Sequence, residues 1–365
     1  MISVYLFNLC VLVLVGKTVA ESYDLLDNFE TGAEGAVFQG NYTGYFGTST
    51  AGVGDVNGDG YDDVLIGAYG ASTSGFTQNG EVYLVYGRSF SGNTKTLNMA
   101  DLSRNGNWEG TTFIGTNTEE KCGNTVSIGG DFNNDGMADF VIGCLGGSYN
   151  DTRTNTGLTY IMFGDTNIPS KVYLNGTSMI DYNGFRVWGA TEGEGSSFSL
   201  AGGGDVNNDG YDDILIGAPN YNSNTGVVYL IFGHAGSYSD IDMASTTTNF
   251  GIKIYGIQTE AQTGYSVALS NINNDNYDDV IIGSPLVSYD GVENSGIISV
   301  LYGGNDTFTA DIELSEFVSH QDTGFYIRGV ENDYLGIILN KAGDVNNDGI
   351  QDIIATSYFG SINTE

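Results

Sequence analysis

Basic residues are scarce in this chain: 11 Lys and Arg stand against 45 Asp and Glu in 365 residues, a net charge of −34. Phosphate binding needs clustered Lys and Arg, so nucleic acid and anionic membrane surfaces are excluded as partners. Histidine is nearly missing; His234 and His320 lie far apart with no ligand at metal-binding spacing. There is no His-Glu-x-x-His zinc motif, no Gly-Lys-Ser/Thr phosphate loop and no Gly-x-Ser-x-Gly elbow, so no enzyme is expected. Trp108 and Trp188 are the only tryptophans, and as lone aromatics they read as core rather than as sugar platforms. Proline, at 3 residues, is too rare for a proline-rich linker. Long apolar runs are missing too, apart from Ile2 to Val15. That run, followed by Thr18-Val19-Ala20 and then Glu21, reads as a secretory signal peptide over 1–20, with a short lead-in over 21–35. After its removal no membrane insertion is expected, and the address is secreted or cell-surface.

Cysteine is limited to three residues, and Cys10 leaves with the leader. Cys122 and Cys144 remain as a candidate disulfide, or as two buried thiols. Four sequons suit an extracellular glycoprotein: Asn41, Asn150, Asn175 and Asn305, each in a Gly-, Asn- or Thr-rich stretch.

What is abundant is glycine, at 55 residues, with 24 Tyr and 18 Phe and 40% hydrophobic residues overall. Such a composition fits many short strands joined by tight turns, and it is too apolar for disorder. One loop, Asp55-Val56-Asn57-Gly58-Asp59-Gly60-Tyr61-Asp62-Asp63, recurs from Asp131, Asp205, Asn271 and Asp344, at intervals of 76, 74, 66 and 73 residues. A period near seventy residues marks a repeat architecture.

Each repeat orders its features alike. A short run ends in Gly, as in Val37-Phe38-Gln39-Gly40, Thr112-Phe113-Ile114-Gly115 and Arg186-Val187-Trp188-Gly189. A small-residue segment, the acidic loop and an apolar run such as Asp213-Ile214-Leu215-Ile216-Gly217 follow. A final run resembles Val82-Tyr83-Leu84-Val85-Tyr86-Gly87. These runs are rich in Val, Ile, Tyr and Phe and bounded by Gly and Asn, so they read as strands, and no segment carries a helical period. The expected fold is all-β: a β-propeller of four-stranded blades over 36–365, with repeats at roughly 36–109, 110–184, 185–250, 251–323 and 324–365, the last incomplete.

Phe46-Gly47 stands ahead of the acidic loop in the first repeat, and Gly217-Ala218-Pro219 and Gly283-Ser284-Pro285 follow it in the third and fourth. With these landmarks on either side of the loop, the chain resembles the FG-GAP repeats of the integrin α-subunit propeller. Ser196-Ser197 and Ala355-Thr356-Ser357 depart from the pattern. Family propellers usually have seven blades, so five visible repeats imply a ring cut short. The resemblance implies an adhesion or protein-recognition module. An integrin β-like partner follows only by analogy. Similar repeats also accompany a glycosylphosphatidylinositol-cleaving phospholipase D, which makes a non-catalytic propeller of a secreted hydrolase the alternative, beside a lectin-like glycan binder. The expected partner is an extracellular protein or glycan, met through variable loops such as Tyr69 to Asn79 or Tyr149 to Thr156.

The acidic loops present oxygens at alternate positions, the pattern that wraps a calcium ion with 6–8 hard ligands. In the first loop Asp55, Asn57, Asp59, the Tyr61 carbonyl and Asp63 would form the cage, with Gly60 allowing the sharp turn. The same positions are Asp131, Asn133, Asp135, Met137 and Asp139 in the second loop. They are Asp205, Asn207, Asp209, Tyr211 and Asp213 in the third. The fifth loop has Asp344, Asn346, Asp348, Ile350 and Asp352. The fourth has Asn271, Asn273, Asp275, Tyr277 and Asp279, with Asn276 in place of Gly expected to take the left-handed turn, and is predicted to be the weakest site. Up to five structural Ca2+ ions are therefore expected. In the pairs Asp62-Asp63, Asp212-Asp213 and Asp278-Asp279 the second carboxylate is better explained as a ligand than as an acid/base.

Overall fold

A computed structural model describes residues 11–14, 35–40, 44–88, 95–99, 102, 109–174, 183–245, 251–317 and 323–358. Asn41, Asn175, Cys10, Trp108 and His320 lie outside these residues. Nearly all of the described secondary structure is β, built as four antiparallel four-stranded sheets of propeller-blade type and a final hairpin.

The first blade pairs Thr50–Gly54, Asp63–Ala68, Glu81–Val85 and Gly110–Gly115 in that order. The second uses Cys122–Gly130, Asp139–Cys144, Leu158–Met162 and Gly184–Trp188. The third uses Ser199–Gly204, Asp213–Ala218, Val227–Ile231 and Gly251–Tyr255, and the fourth Ser266–Ser270, Asp279–Ser284, Ile297–Leu301 and Gly324–Arg328. Ile338–Gly343 and Asp352–Thr356 form the fifth hairpin.

The run that opens each sequence repeat closes the preceding sheet. Thr112-Phe113-Ile114 belongs to the outer strand of the first blade, and Arg186-Val187-Trp188 to that of the second. Sequence period and sheet are thus one strand out of phase, because the strand that protects a blade's outer edge is drawn from the next repeat. Each of the first three outer strands also takes a short parallel strand: Lys171–Leu174, Ile241–Asp242 or Ile312–Glu313. Gly35–Gln39 has the same kind of partner in Lys95–Asn98, and its other edge pairs in parallel with Val11–Leu14, inside the segment read as the leader.

The blades stack face to face through their first strands. Along the second strand of the third blade, Ile214 and Ile216 pack toward the second blade, while Leu215 packs toward the fourth. All three are fully buried. Burial on both faces explains why these strands read as continuous apolar runs rather than as alternating ones. The disulfide Cys122–Cys144 joins the first two strands of the second blade at paired positions. Among the described residues no helix is long and apolar enough to cross a membrane.

Close stacking sets the glycines. A Cβ at buried Gly202 would lie 2.5 Å from the Ile128 carbonyl oxygen of the preceding blade. Gly52 holds the same register position in the first blade, and a Cβ there meets nothing within 4 Å. Overpacking a close contact costs about 1–3 kcal/mol, whereas an exposed change stays within about 0.5 kcal/mol. Gly202→Ala is therefore expected to lower the denaturation midpoint clearly and Gly52→Ala to leave it in place. Equal effects in urea unfolding would refute this account of the stacking.

Candidate metal centres in the acidic loops

Each acidic loop joins the first and second strands of its unit, so all five project from the same end of the sheets. In the first loop the Asp55 carboxylate accepts backbone N–H bonds from Gly58 at 2.8 Å, Asp59 at 3.0 Å and Gly60 at 2.8 Å. The Asn57 amide oxygen accepts from Asp59 N, and its nitrogen donates to Asp59 Oδ2. Asp59 Oδ1 accepts from Tyr61 N. Four loops share this lattice, through Asp131–Gly136, Asp205–Gly210 and Asp344–Gly349 as well as Asp55–Gly60.

Two residues take positive φ in every loop but the fourth, which has one. One is the expected glycine, with φ of 89 to 90° at Gly60, Gly136, Gly210 and Gly349. The other, two residues earlier, is Gly58, Asn134, Asn208, Asn274 or Asn347. Only Gly and Asn occupy that position, and both tolerate the left-handed region. The restriction to Gly and Asn at this position is the sequence signal of the second turn.

The fourth loop departs from expectation at its sixth residue. Asn276 is not among the residues of positive φ, so it does not reproduce the glycine turn. The cause lies at Asn271: its amide nitrogen, standing where the other loops carry a carboxylate oxygen, donates to the Asp275 carbonyl at 2.6 Å. A carboxylate could only accept there, and in the other loops it accepts the glycine N–H instead.

The ninth residue of each loop does more than face the loop. Asp63 is fully buried and accepts from Val56 N at 3.0 Å and Gly87 N at 2.7 Å. Asp139 does the same with Phe132 N and Gly164 N, Asp213 with Val206 N and Gly233 N, and Asp279 with Ile272 N and Gly303 N. Each carboxylate thus ties the loop to the glycine that ends the third strand of its blade. In the fifth hairpin Asp352 keeps the loop bond, from Val345 N.

The eighth residue reaches across blades. Asp212 Oδ2 accepts from Asp131 N at 2.7 Å and Asp278 Oδ2 from Asp205 N at 3.0 Å, each bonding the first residue of the preceding loop. The backbone repeats the link: Ala138 N donates to Asp55 O, Asp212 N to Asp131 O and Asp278 N to Asp205 O. No sequence pattern marks these acids as interblade clasps, since the adjacent Asp hides them.

The donor set of every loop is hard oxygen only. As the loops stand, the carboxylates turn onto backbone amides, and no three acidic, His or Cys side chains converge on one point among the described residues. A carboxylate oxygen that accepts one N–H bond, such as Asp55 Oδ2, holds a second lone pair beyond it, whereas Asp55 Oδ1 already accepts two. Burial is the strained part. Desolvation, opposed by the two N–H bonds and reinforced by the neighbouring loop carboxylates, pushes Asp63 up to about 6 and Asp139 up to about 7. Asp279 is pushed up to about 6 for the same reasons, and Asp213 also moves upward. Such groups gain from a nearby cation, and a small-loop set of oxygens suits a hard divalent one.

The opposite end of the sheets is of another character. Its loops join second and third strands, and they carry half-exposed tyrosines stacked on arginines. Tyr149, 43% exposed, has Arg153 4.0 Å from its ring centroid, and Tyr289, 39% exposed, has Arg328 at 3.9 Å. Trp188, expected in the core, is half-buried and meets the Tyr149 ring edge-to-face at 5.4 Å. Tyr45 stacks on Tyr69 at 5.0 Å. Asn150 sits in the Tyr149 turn, its side-chain oxygen accepting from Thr152 N and Arg153 N. Both Asn150 and Asn305 are exposed.

A set of propeller blades with an acidic loop between the first two strands of each is the class this geometry defines. The FG-GAP repeat family model matches residues 46–85, 198–231 and 263–301, and the chain carries FG-GAP repeats. It is 31% identical to the phosphatidylinositol-glycan-specific phospholipase D of Bos taurus over 42% of this chain and 18% of that protein. It is 26% identical to integrin alpha-5 of Xenopus laevis over 65% of this chain and 20% of the relative. With integrin alpha-8 of Mus musculus it shares 32% identity over 49% of this chain and 15% of the relative. The matched region spans about a fifth or less of these relatives.

A raised folded-state carboxylate pKa has a definite pH signature. Unfolded Asp titrates near 3.9, so between about pH 4 and 7 the native state holds protons that the unfolded chain has released. Stability therefore falls as pH rises through that window. Metal-free protein is expected to melt at a higher temperature at pH 5 than at pH 8, and a melting temperature that climbs across this range would contradict the burial of these acids.

Proposed function

We propose that this chain is an extracellular, calcium-stabilised, non-catalytic recognition module of integrin α-like type. The observation that carries the reading is its division into two ends: acidic oxygen loops at one, and Tyr149/Arg153 and Tyr289/Arg328 stacks at the other. Exposed aromatic rings held flat by arginine are contact surfaces of low entropic cost for a protein or glycan. The leader-like segment over 1–20, the sequons and the Cys122–Cys144 bridge support an extracellular setting.

Calcium would be held by the first, third, fifth and ninth side chains and the seventh carbonyl of each loop. It would supply the positive charge that offsets the buried carboxylates. Its role is structural, clamping turns that otherwise crowd like charges. The second reading is an accessory propeller of a secreted hydrolase, favoured by the similarity to the bovine phospholipase D. In that case the chemistry would reside outside these repeats.

Calcium at about a hundred times its dissociation constant stabilises by about 2.7 kcal/mol per site, so removal should lower the melting temperature by several degrees. Asp209→Asn should weaken the response to calcium more than Asp275→Asn, since the fourth loop is the poorer cage. An identical melting curve with and without EGTA would dismiss the metal reading. For the surface, glycan arrays and capture of extracellular proteins with Tyr149→Ala and Tyr289→Ala should show about tenfold weaker binding. Binding retained in both variants would move the recognition site elsewhere.

A further inference from the structure

The five acidic loops differ at their fourth residue. Four of them place asparagine there, at Asn134, Asn208, Asn274 and Asn347. The first places Gly58, so its third and fourth residues form an Asn57-Gly58 pair. An asparagine side chain ends in an amide carbon that the backbone nitrogen of the next residue can attack. Glycine offers that nitrogen without a side chain to block the approach, whereas the asparagine of the other loops carries one.

Solvent reaches this pair. Gly58, Asp59, Gly60 and Tyr61 are exposed and Asn57 is half-buried. A Cβ at Gly58 would meet only Thr166 Cγ2 at 3.5 Å and Met137 Sδ at 3.9 Å, so no backbone crowds the attacking residue. Both bonds of the Asn57 amide run to Asp59, its oxygen accepting from Asp59 N and its nitrogen donating to Asp59 Oδ2, each at 3.0 Å. The Gly58 N–H donates to Asp55 Oδ1 at 2.8 Å, so a proton acceptor stands where that proton must leave. In the second loop the equivalent Asn134 N donates to the Asp131 backbone carbonyl instead. Asn79-Gly80, in the same blade, shows the opposite situation. Asn79 is fully buried, its side chain accepting from Thr73 N at 2.9 Å and donating to Gly115 O at 2.5 Å. Gly80 N donates to Ala71 O, and a Cβ on Gly80 would lie 2.1 Å from the Cys122 carbonyl oxygen. Packing locks the torsions of that pair; exposed hydrogen bonds alone fix those of Asn57-Gly58, and such regions open first.

We propose that Asn57 is a site of spontaneous deamidation, through a cyclic imide with Gly58, that rewrites the first acidic loop. The Gly58 nitrogen bonds to Asn57 Cγ, the Cγ–Nδ2 bond breaks, and the proton of the Gly58 N–H leaves with the amide nitrogen as ammonia. Water then opens the imide, its hydroxyl joining one carbonyl carbon and its proton returning to the Gly58 nitrogen. Breaking the new bond gives aspartate at position 57; breaking the original peptide bond gives isoaspartate, with the chain running through Cγ. No oxidant or reductant enters. Either product alters the loop. Aspartate sets a further carboxylate beside Asp55, Asp59 and Asp63 and adds to their repulsion. Isoaspartate lengthens the backbone ahead of Gly58 and displaces Asp59 N and Gly60 N from the Asp55 carboxylate, which they bond at 3.0 and 2.8 Å. The Asp55 carbonyl also accepts from Ala138 N of the second blade at 3.1 Å, so the change reaches the first contact between blades.

Incubation of the purified chain in slightly alkaline buffer with EGTA, followed by peptide mapping with fragmentation mass spectrometry, reads the step directly. Asn57 is expected to gain one mass unit, with isoaspartate among the products, while Asn79 keeps its mass over the same period. The aged chain should melt at a lower temperature than the fresh one in EGTA. Gly58→Asn copies the other four loops and keeps a residue that tolerates the left-handed turn. It should slow the gain at Asn57 several-fold and leave the melting temperature of the fresh chain in place. Asn57→Gln, whose longer side chain closes the ring far more slowly, serves as the second variant should Gly58→Asn disturb the loop. Calcium should slow the reaction by holding Asn57 Oδ1, a consequence that rests on the calcium reading above; equal rates with and without calcium would count against that reading alone. An Asn57 that keeps its mass, a gain spread equally over Asn57 and Asn79, or a Gly58→Asn chain that ages at the parental rate would overturn the proposal.

Discussion

A buried aspartate in each turn holds the repeat together. Asp63 and its counterparts Asp139, Asp213 and Asp279 bind one N–H of their loop and one N–H at the end of the third strand, so three strands of a blade meet at one carboxylate. Hydrogen bonds to a charged acceptor are worth more than neutral ones, about 1.5–3 kcal/mol, yet burying the charge costs free energy that the bonds only partly offset. That imbalance is visible in the upward shift of these acids. It is also the physical reason a cation would suit loops whose carboxylates already crowd one another. Under the proposed calcium reading, fold and metal chemistry would be two uses of the same side chain.

From that clasp the stacking follows. The loop it fixes presents a carbonyl and an N–H to the next blade, which answers with a glycine at the end of its third strand and, in two of the interfaces, with an aspartate carboxylate. Between these inner contacts and the apolar strand faces, the second, third and fourth blades are buried on both sides. The high glycine content is thus an interface requirement as much as a turn requirement. Gly202 and Gly52 separate the two causes, since they share a register position and differ only in whether a blade precedes them.

The two ends of the sheets differ in chemistry. Packed, hydrogen-bonded acidic loops define a scaffold, while the loops at the other end vary in length and hold aromatic rings in the open. A rigid lattice with variable loops lets one face change its contacts while the clasps below stay the same. Similarity to both integrin alpha subunits and a phospholipase D fits that division, because the repeat is shared while the matched part is a small share of each relative.

The strands, the low helix content, the fivefold loop and its special fourth copy were all legible from residues alone. Asp/Asn spacing, glycine and strings of β-branched and aromatic residues act locally, within a few residues of one another. The sequence by itself therefore determined the repeat, the blade type and the oxygen-rich turns. It could not determine which sheet receives the opening run of each repeat, because strand pairing is a non-local choice between equally apolar edges. It placed Asp213 and Asp279 within their own loops but left Asp212 and Asp278 without a role, although these reach across to the preceding loop. Adjacent and chemically identical, the two acids of each pair point to opposite sides of a strand, one clasping its own blade and the other the blade before. Only the tertiary structure assigns those sides, since a carboxylate's role is set by which N–H groups packing brings within about 3 Å of it.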